Sequence, residues 1–502
     1  MEFTRVLGAT DRGPTASAIH SQQQRWGASK HAQKAAQRLT EPGSVAVVTG
    51  QQAGLFGGPL YSVLKAVCVI KLSRQFGMQH PQRQFIPMFW IATGDSDYEE
   101  VRKTYIVDSE GGIQELALPP AAPDQQRFTI EARDDRAATQ QLLGKLDAVL
   151  PSGEYRDEVI AALETDYAEG NLVAGFGRWM ARLFSETELV IIDPQDPALM
   201  QSTRGLIRHE LQHAEELASI LTRRNQELST AGYELQVSQP PEDTNLFLLD
   251  AEGRREKISR TTGGFVLRPS GRRMSLDELL AISQLSPERF VCGVLLRPVY
   301  QNVLFPVIAW VGGPAEISYR AQATALAAHH GVKTAPAYLR TSATLLPQRS
   351  AALLSELGWE ISDCFTVIQD LEQQAALTAI PAAVEAALIA YRAAINTADQ
   401  DLRRAATELD ASLAASFETL KGNLTRHVDK LEKKITSVLK KRRTAQLRRI
   451  QIAHSQVYPQ LQPQERVLSL LSFLPRYGFA IMALLLDGLT VPSFNHQIMV
   501  LD

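Results

Sequence analysis

The chain has 502 residues, 45% of them hydrophobic and 21% charged, which is enough apolar material for about three ordinary globular domains. Its formal net charge of −3 gives no reason to expect general binding to nucleic acid or membranes. There is no run of about 20 apolar residues and no basic start followed by an apolar run, so neither a spanning helix nor a signal peptide is expected.

The three cysteines, Cys68, Cys292 and Cys364, lie far apart and lack the short spacing of a zinc or redox motif. Cys68 sits in an apolar run, so we expect it to be a small buried hydrophobe. Reduced thiols without an export signal predict a cytoplasmic protein.

The first clear pattern is a strand, a glycine-rich loop and a helix. Residues 44–50 form a β-branched run, the loop follows, and Pro59 precedes a helix predicted over 60–76. This order opens a parallel α/β unit. Glycines let a ligand approach the backbone, and a helix N-terminus attracts phosphate or carboxylate. The alternative is a tight turn; the candidate binding residues are Gly50, Gln51, Gln52, Gly54, Gly57 and Gly58.

A second predicted strand, 85–93, runs into the acidic sequence GDSDYEE. Ligands bind at the carboxyl ends of strands in open α/β sheets, so Asp95 and Asp97 are candidates to hold magnesium or to position a substrate amine. The alternative is a solvated loop in which an aspartate caps a helix. Residues 104–108 and 188–194 are further strand candidates.

The region 290–323 is the densest in candidate functional residues. A strand is predicted up to Arg297, which can pair with phosphate or carboxylate. Gly312 and Gly313 form a second backbone turn before a helix that starts at Pro314. Glu316 and Tyr319 of this helix complete the candidate site. The alternatives are that Glu316 is an ordinary acid of a helical first turn and that Tyr319 is a core residue.

A helix predicted over 201–228 carries the pattern H-E-x-x-H at His209, Glu210 and His213, which on a helix is typical of zinc proteases. We do not expect zinc, because the helix is charged over most of its surface and the sequence shows no third ligand nearby.

Residues 382–458 contain no proline and one glycine, and their apolar residues recur in steps of three and four. This predicts a coiled coil or a long helical hairpin. The stretch 421–450 is basic, which favours a solvated face or attraction of an anionic substrate over nucleic-acid binding. We predict an α/β core over 1–380 with insertions at about 109–180 and 235–290, then the coiled coil, then a segment, 459–502, that packs back on the core.

Three stretches together resemble one family: 47–66 (VVTGQQAGLFGGPLYSVLKA), 86–101 (IPMFWIATGDSDYEEV) and 297–322 (RPVYQNVLFPVIAWVGGPAEISYRAQ). They are similar, in this order, to the main motifs of the cysteine ligase family of bacillithiol biosynthesis, the BshC family. The chain departs from the family pattern at Ser96, where histidine is usual, and at Asn302, where aspartate is common.

The resemblance implies a Rossmann-like core, a coiled coil that forms a homodimer, and joining of cysteine to glucosaminyl-malate. It also implies ATP, with magnesium as a candidate, to activate the carboxyl group. Arg297 would neutralise malate or phosphate charge in that reaction. Two alternatives stay open: a synthetase-like or nucleotidyltransferase-like enzyme acting on another acid and amine, and a coiled-coil scaffold that binds nucleic acid.

Overall fold

The computed structural model describes residues 12–108, 110–368, 382–410 and 414–502. The chain folds into two compact units. The first comprises Met1–Leu345 and Gln462–Met499, and the second comprises Leu346–Leu461 and Val500–Asp502.

The strands, in chain order, are β1 Ser44–Gln51, β2 Gln84–Ile91, β3 Lys103–Val107, β4 Ile113–Ala117, β5 Val190–Ile192, β6 Asp243–Leu249, β7 Arg255–Thr261, β8 Gly264–Arg268, β9 Arg273–Met274, β10 Phe290–Cys292, β11 Val307–Gly312, β12 Ala337–Leu339, β13 Ser342–Pro347 and β14 His496–Leu501.

The helices are α1 Gly13–Arg25, α2 Lys30–Gln37, α3 Tyr61–Gln79, α4 Tyr98–Val101, α5 Arg136–Leu143, α6 Leu146–Val149, α7 Arg156–Asp166, α8 Leu172–Leu183, α9 Pro197–Met200, α10 Arg204–Gln212, α11 Ala214–Thr230, α12 Leu276–Leu285, α13 Arg297–Leu304, α14 Pro314–His329, α15 Gln348–Leu357, α16 Ala382–Leu409, α17 Ala414–Val457, α18 Gln464–Val467, α19 Leu474–Tyr477 and α20 Ile481–Gly488.

The core of the first unit is a five-stranded parallel sheet in the order β12-β11-β1-β2-β5. The central strand β1 is buried along most of its length, as its β-branched sequence predicts. Helix α3 packs against β1, β2 and β11. The strand, loop and helix predicted at the start of this unit are therefore confirmed, and the carboxyl ends of β1, β2 and β11 meet at one edge.

A second sheet is antiparallel, in the order β10-β6-β7-β8-β9, and comes from the region predicted as the later insertion. Two strand predictions need correction here. β10 ends at Cys292 and pairs with β6, and Arg297 begins helix α13 instead of ending a strand. Strand β3 exists close to 104–108 but forms a separate antiparallel pair with β4.

The long helix predicted over 201–228 is also interrupted: α10 ends at Gln212, and α11 begins at Ala214. Among the helices of the described residues, none combines the length and apolar character needed to cross a membrane. Cys68 is buried, as predicted, and its sulfur accepts a hydrogen bond from the Thr341 backbone N–H at 3.1 Å.

The second unit contains the two longest helices, α16 with 28 residues and α17 with 44. Ion pairs link Arg392 to Asp429 and Arg403 to Glu418, so the two helices run antiparallel. The predicted coiled-coil region is therefore a helical hairpin, one of the two forms that the apolar spacing indicated.

Candidate active site

A cavity of about 710 Å³ lies at the carboxyl ends of β1, β2 and β11. Asn245, Phe247, Arg255 and Lys257, from the antiparallel sheet, line its other side. Its volume lies within the range of small-molecule sites, and its position is where open α/β sheets bind ligands.

Eight of the thirteen predicted site residues line this cavity: Gly50, Gln51, Gln52, Asp95, Arg297, Gly313, Glu316 and Tyr319. They come from the ends of β1, β2 and β11 and from the starts of α13 and α14. The fold thus brings together site residues that the sequence predicted in three distant stretches of the chain.

The other five predicted residues do not line the cavity: Asp97, Gly54, Gly57, Gly58 and Gly312. Asp97 is exposed and caps α4, accepting a hydrogen bond from the Glu100 backbone N–H. The three loop glycines are packing positions. An added Cβ at Gly57 would lie 2.9 Å from Trp179, and Gly54 and Gly58 pack against each other. The ring of Trp310 covers Gly312.

Lys65 is the most buried cation of the cavity, with 2% of its side chain exposed. Its Nζ donates to the Gly50 carbonyl oxygen at 2.9 Å and to Gln51 Oε1 at 2.7 Å, and it lies 2.6 Å from Glu316 Oε2. That same carboxylate oxygen accepts the Gly313 backbone N–H at 2.8 Å. Burial lowers the pKa of Lys65, and Glu316 opposes that shift. The pair joins the end of β1 to the start of α14.

Asp95 is held by two groups. Arg255 Nη1 donates to Asp95 Oδ1 at 3.0 Å, and Gln52 Nε2 donates to Asp95 Oδ2 at 3.1 Å. Burial disfavours the Asp95 carboxylate, but nearby Arg297 and Arg255 outweigh it and lower its pKa. Arg255 Nη1 also donates to Ser96 Oγ at 3.1 Å. The serine that replaces the family's histidine therefore helps to position this arginine.

Six cations line the cavity, and three of them have carboxylate partners: Lys65 with Glu316, Arg255 with Asp95, and Arg340 with Glu465. The other three form no ion pair with any described residue: Lys257, Arg297 and Arg466. The lining therefore carries six cations against four carboxylates, Asp95, Glu100, Asp243 and Glu316, and this excess of positive charge favours anions in a cavity of reduced dielectric.

Lys257 differs from an ordinary lysine. Burial, with repulsion from Arg255, lowers its pKa to about 8, although Glu210 opposes the shift. Its Nζ lies 4.4 Å from the centre of the Phe247 ring. Lys257 is therefore still mostly charged near physiological pH, but it gives up its proton more readily than an ordinary lysine.

Of the six cations, only Arg297 is among the site residues that the sequence predicts. Lys65 carried a signal, because it is a lysine inside the apolar helical run that follows the glycine loop. Arg255 and Lys257 alternate on β7, which the sequence showed only as part of an insertion. Arg340 and Arg466 carried no signal in the sequence, because only the folded chain brings them to this cavity.

The H-E-x-x-H pattern lies outside the cavity. The fold brings two further histidines to it: His209 Nε2 lies 3.0 Å from His329 Nδ1, and His330 Nε2 lies 2.8 Å from Glu210 Oε1. The sequence showed no third ligand near this pattern, because His329 and His330 come close to it only in the folded chain. In the described part of the chain, however, no group of three such side chains is arranged to hold a metal ion.

The parallel sheet defines an α/β protein with a Rossmann-like core, and the cavity at its strand ends is a candidate ligand site. Two family descriptions match the chain: "Bacillithiol biosynthesis BshC, N-terminal Rossmann-like domain" over residues 5–341, and "Bacillithiol biosynthesis BshC, C-terminal coiled-coil domain" over residues 343–501. The chain belongs to the BshC family of bacillithiol biosynthesis. The predicted fold class, a Rossmann-like core followed by a coiled coil, is confirmed.

Several relatives carry the name "Putative cysteine ligase BshC". The relative from Koribacter versatilis is 31% identical over 487 residues, covering 96% of this chain and 88% of its own. The relative from Solibacter usitatus is 30% identical, with 92% and 86% covered, and that from Salinibacter ruber is 28% identical, with 97% and 88% covered. The chain is accordingly a ligase, as its sequence motifs predicted.

Proposed function

We propose that this ligase joins the carboxyl group of cysteine to the amino group of glucosaminyl-malate, with ATP activating the carboxyl group, to make bacillithiol. Family membership and the relatives' name support the cysteine part. The three free cysteines, Cys68, Cys292 and Cys364, support a cytoplasmic location, because free thiols are typical of reducing compartments.

One observation carries the choice of substrates: the cavity holds three cations without carboxylate partners, Lys257, Arg297 and Arg466. A malate group and a nucleotide phosphate both supply the anionic oxygens that such cations bind. Four carboxylates line the cavity, Asp95, Glu100, Asp243 and Glu316. Glu100 forms no ion pair with a described residue, so it can hold a substrate ammonium group. The mixture of charges suits an acid and an amine bound side by side.

The residues present fit the phosphates of ATP. Arg255 is buried, and its Nε has no hydrogen-bond partner in the described part of the chain, so a donor remains for a phosphate oxygen. ATP, when bound, supplies the group that activates the carboxyl. Magnesium is usually held by one or two carboxylates together with phosphate oxygens. Of the two aspartates predicted as magnesium ligands, Asp95 and Asp97, Asp95 is the one that lines the cavity.

The chain's own residues then orient the substrates and neutralise their negative charge. Arg297 binds malate or phosphate oxygens, and Asp95 holds Arg255 in place. Lys257, with its lowered pKa, is the group that can accept the proton lost by the attacking amine. Catalysis of this kind consists mainly of positioning and of electrostatic stabilisation of the developing charge.

The test is product formation from cysteine, ATP and glucosaminyl-malate, followed by mass spectrometry, with the nucleotide product identified. Arg297→Ala removes a cation from the cavity, and we expect product formation to fall about 100-fold, because losing a charged contact costs about 2–5 kcal/mol. Arg272→Ala is the matched control, because Arg272 is exposed and lies outside the cavity. Equal activity in both variants would contradict the role of Arg297.

A ligase for another acid and amine remains the alternative. Deleting the gene distinguishes the two: loss of bacillithiol with accumulation of glucosaminyl-malate supports the proposal. Unchanged bacillithiol means that the chain acts on another pair of substrates.

We also propose that the coiled coil forms a homodimer. Helix α17 leaves an apolar stripe exposed, with 46% of Leu420, 38% of Leu424, 48% of Leu431 and 52% of Val438 accessible. Residues at such spacing stabilise a helix by packing against another helix.

The dimer proposal predicts that the double variant Leu424→Asp with Leu431→Asp has the mass of one chain in solution, half the mass of the wild-type dimer. Light scattering coupled to gel filtration measures this against the chain mass of 55.4 kDa. Leu285→Asp is the control, since Leu285 is exposed on α12 in the other unit. A wild-type chain of 55.4 kDa in solution would refute the proposal.

A further inference from the structure

A second cavity, of about 360 Å³, lies at the opposite end of the parallel strands from the candidate active site. Helix α2, the last turns of α3 and the start of β2 line it. Strand β2 pairs with β5 only from Met88 onward, so its first residues have no strand partner on that side and leave room for the cavity. Strand β2 contributes its first four residues, 84–87, to this cavity and Trp90, near its other end, to the candidate active site.

The lining of this cavity is strongly cationic. Lys34, Arg38, Arg74 and Arg83 line it, and the single lining acid is Glu188. Arg74 pairs with that acid at 3.3 Å, and Arg38 makes only a long hydrogen bond, 3.4 Å, to Gln84 Oε1. Three of the four cations therefore have no carboxylate partner among the residues that the structure describes.

An independent observation is Ser73, which lines the same cavity. It is 3% exposed, and its hydroxyl has no hydrogen-bond partner in the described part of the chain. A buried hydroxyl without a partner costs free energy, so such groups call for an explanation. A ligand in the cavity would supply the missing acceptor.

We propose that this cavity is a binding site for a phosphate group, carried by a small phosphorylated molecule or present as the free ion. An arginine guanidinium can bind two phosphate oxygens at once, and Ser73, which also lines the cavity, adds a neutral hydroxyl donor. The volume exceeds that needed by a bare ion and suits a small phosphorylated metabolite. The proposal does not depend on the ligase reaction.

The experiment is calorimetric titration of the full chain with inorganic phosphate and, separately, with glucose 6-phosphate. Ser73→Ala should weaken binding by about three- to ten-fold, the contribution of one hydrogen bond. It should leave the unfolding temperature unchanged or raise it, because it removes an unpartnered hydroxyl. Ser62→Ala is the matched control: Ser62 is another buried, unpartnered serine of α3 but lines neither cavity.

A charge variant, Lys34→Ala with Arg38→Ala and Arg83→Ala, should weaken binding at least 100-fold, whereas Arg272→Ala, at an exposed arginine that lines neither cavity, should leave it unchanged. Tighter binding of the ester than of phosphate identifies a phosphorylated metabolite, and equal binding identifies the free ion; both support a phosphate site. The proposal is overturned if the wild-type chain binds neither probe. It is also overturned if Ser62→Ala weakens binding as much as Ser73→Ala does.

Discussion

Removing the Lys65 ammonium group tests the central contact of the candidate active site. Lys65→Met keeps the length of the side chain and its apolar stem, but it removes the counter-charge of the Glu316 carboxylate and the Nζ donor to the Gly50 carbonyl. Breaking a buried ion pair by removing one partner costs about 3–5 kcal/mol. Because 25% of the Glu316 side chain is exposed, water relieves part of this cost, and we expect a loss of about 3 kcal/mol.

The assay is urea unfolding followed by tryptophan fluorescence. Four of the five tryptophans lie in the unit that contains the site, so the signal reports mainly on that unit: Trp26, Trp90, Trp179 and Trp310. The second variant is Glu316→Gln, which keeps an oxygen for the Gly313 N–H but loses the charge.

The double variant, Lys65→Met with Glu316→Gln, shows whether the two side chains contribute to stability together or independently. If the two side chains stabilise each other, the double variant should lose at least about 1 kcal/mol less than the sum of the single losses. Additivity within about 0.5 kcal/mol would show that the 2.6 Å contact contributes little. That result would refute the view that this pair joins β1 to α14 energetically.

The other predictions concern reactivity and packing. Acylation of Lys257, followed by peptide mass spectrometry, should rise with pH around a midpoint of about 8, because burial lowers its pKa, and a midpoint above about 10 would contradict that cause. All three thiols should resist a disulfide reagent at pH 8 in the native chain and react once urea unfolds it, because burial raises each thiol pKa. Reaction of any of the three thiols before urea is added would contradict this prediction. Gly57→Ala should cost about 3 kcal/mol in urea unfolding and Gly232→Ala about 1 kcal/mol: both have positive φ, but only Gly57 meets a neighbour, Trp179. Equal losses would remove the packing argument.

The sequence predicted the strands that composition alone identifies. It missed or misplaced those whose limits are not marked by a change in composition. Strand β1 is a β-branched run bounded by glycine, so its period and its ends were both visible. Strand β11 went unrecognised because its apolar residues follow the apolar end of α13 without a break in polarity. Arg297 looked like a strand end, yet the next residue, Pro298, is a typical first-turn residue of a helix.

The same distinction applies to the site. Asp95 and Gln52 follow strand ends, and parallel sheets bring such ends together, so local pattern was sufficient. Arg255 and Lys257 reach the cavity only because an antiparallel sheet folds over it, which no local pattern specifies. Asp97 shows the converse: two residues beyond Asp95, it turns outward and caps a short helix.

The pairing of Arg340 with Glu465 bears on how the chain is made. Both side chains are buried, and the Glu465 carboxylate also accepts hydrogen bonds from the Ser342 hydroxyl and the Ala343 backbone N–H. At about 5–20 residues per second, a ribosome needs about 6–25 s to translate the chain between these partners. During that interval Arg340 lacks its carboxylate partner, and Arg466 has not yet joined the lining of the cavity. We therefore expect the nascent first unit to stay loosely packed, and to need protection by chaperones, until almost the last residues emerge.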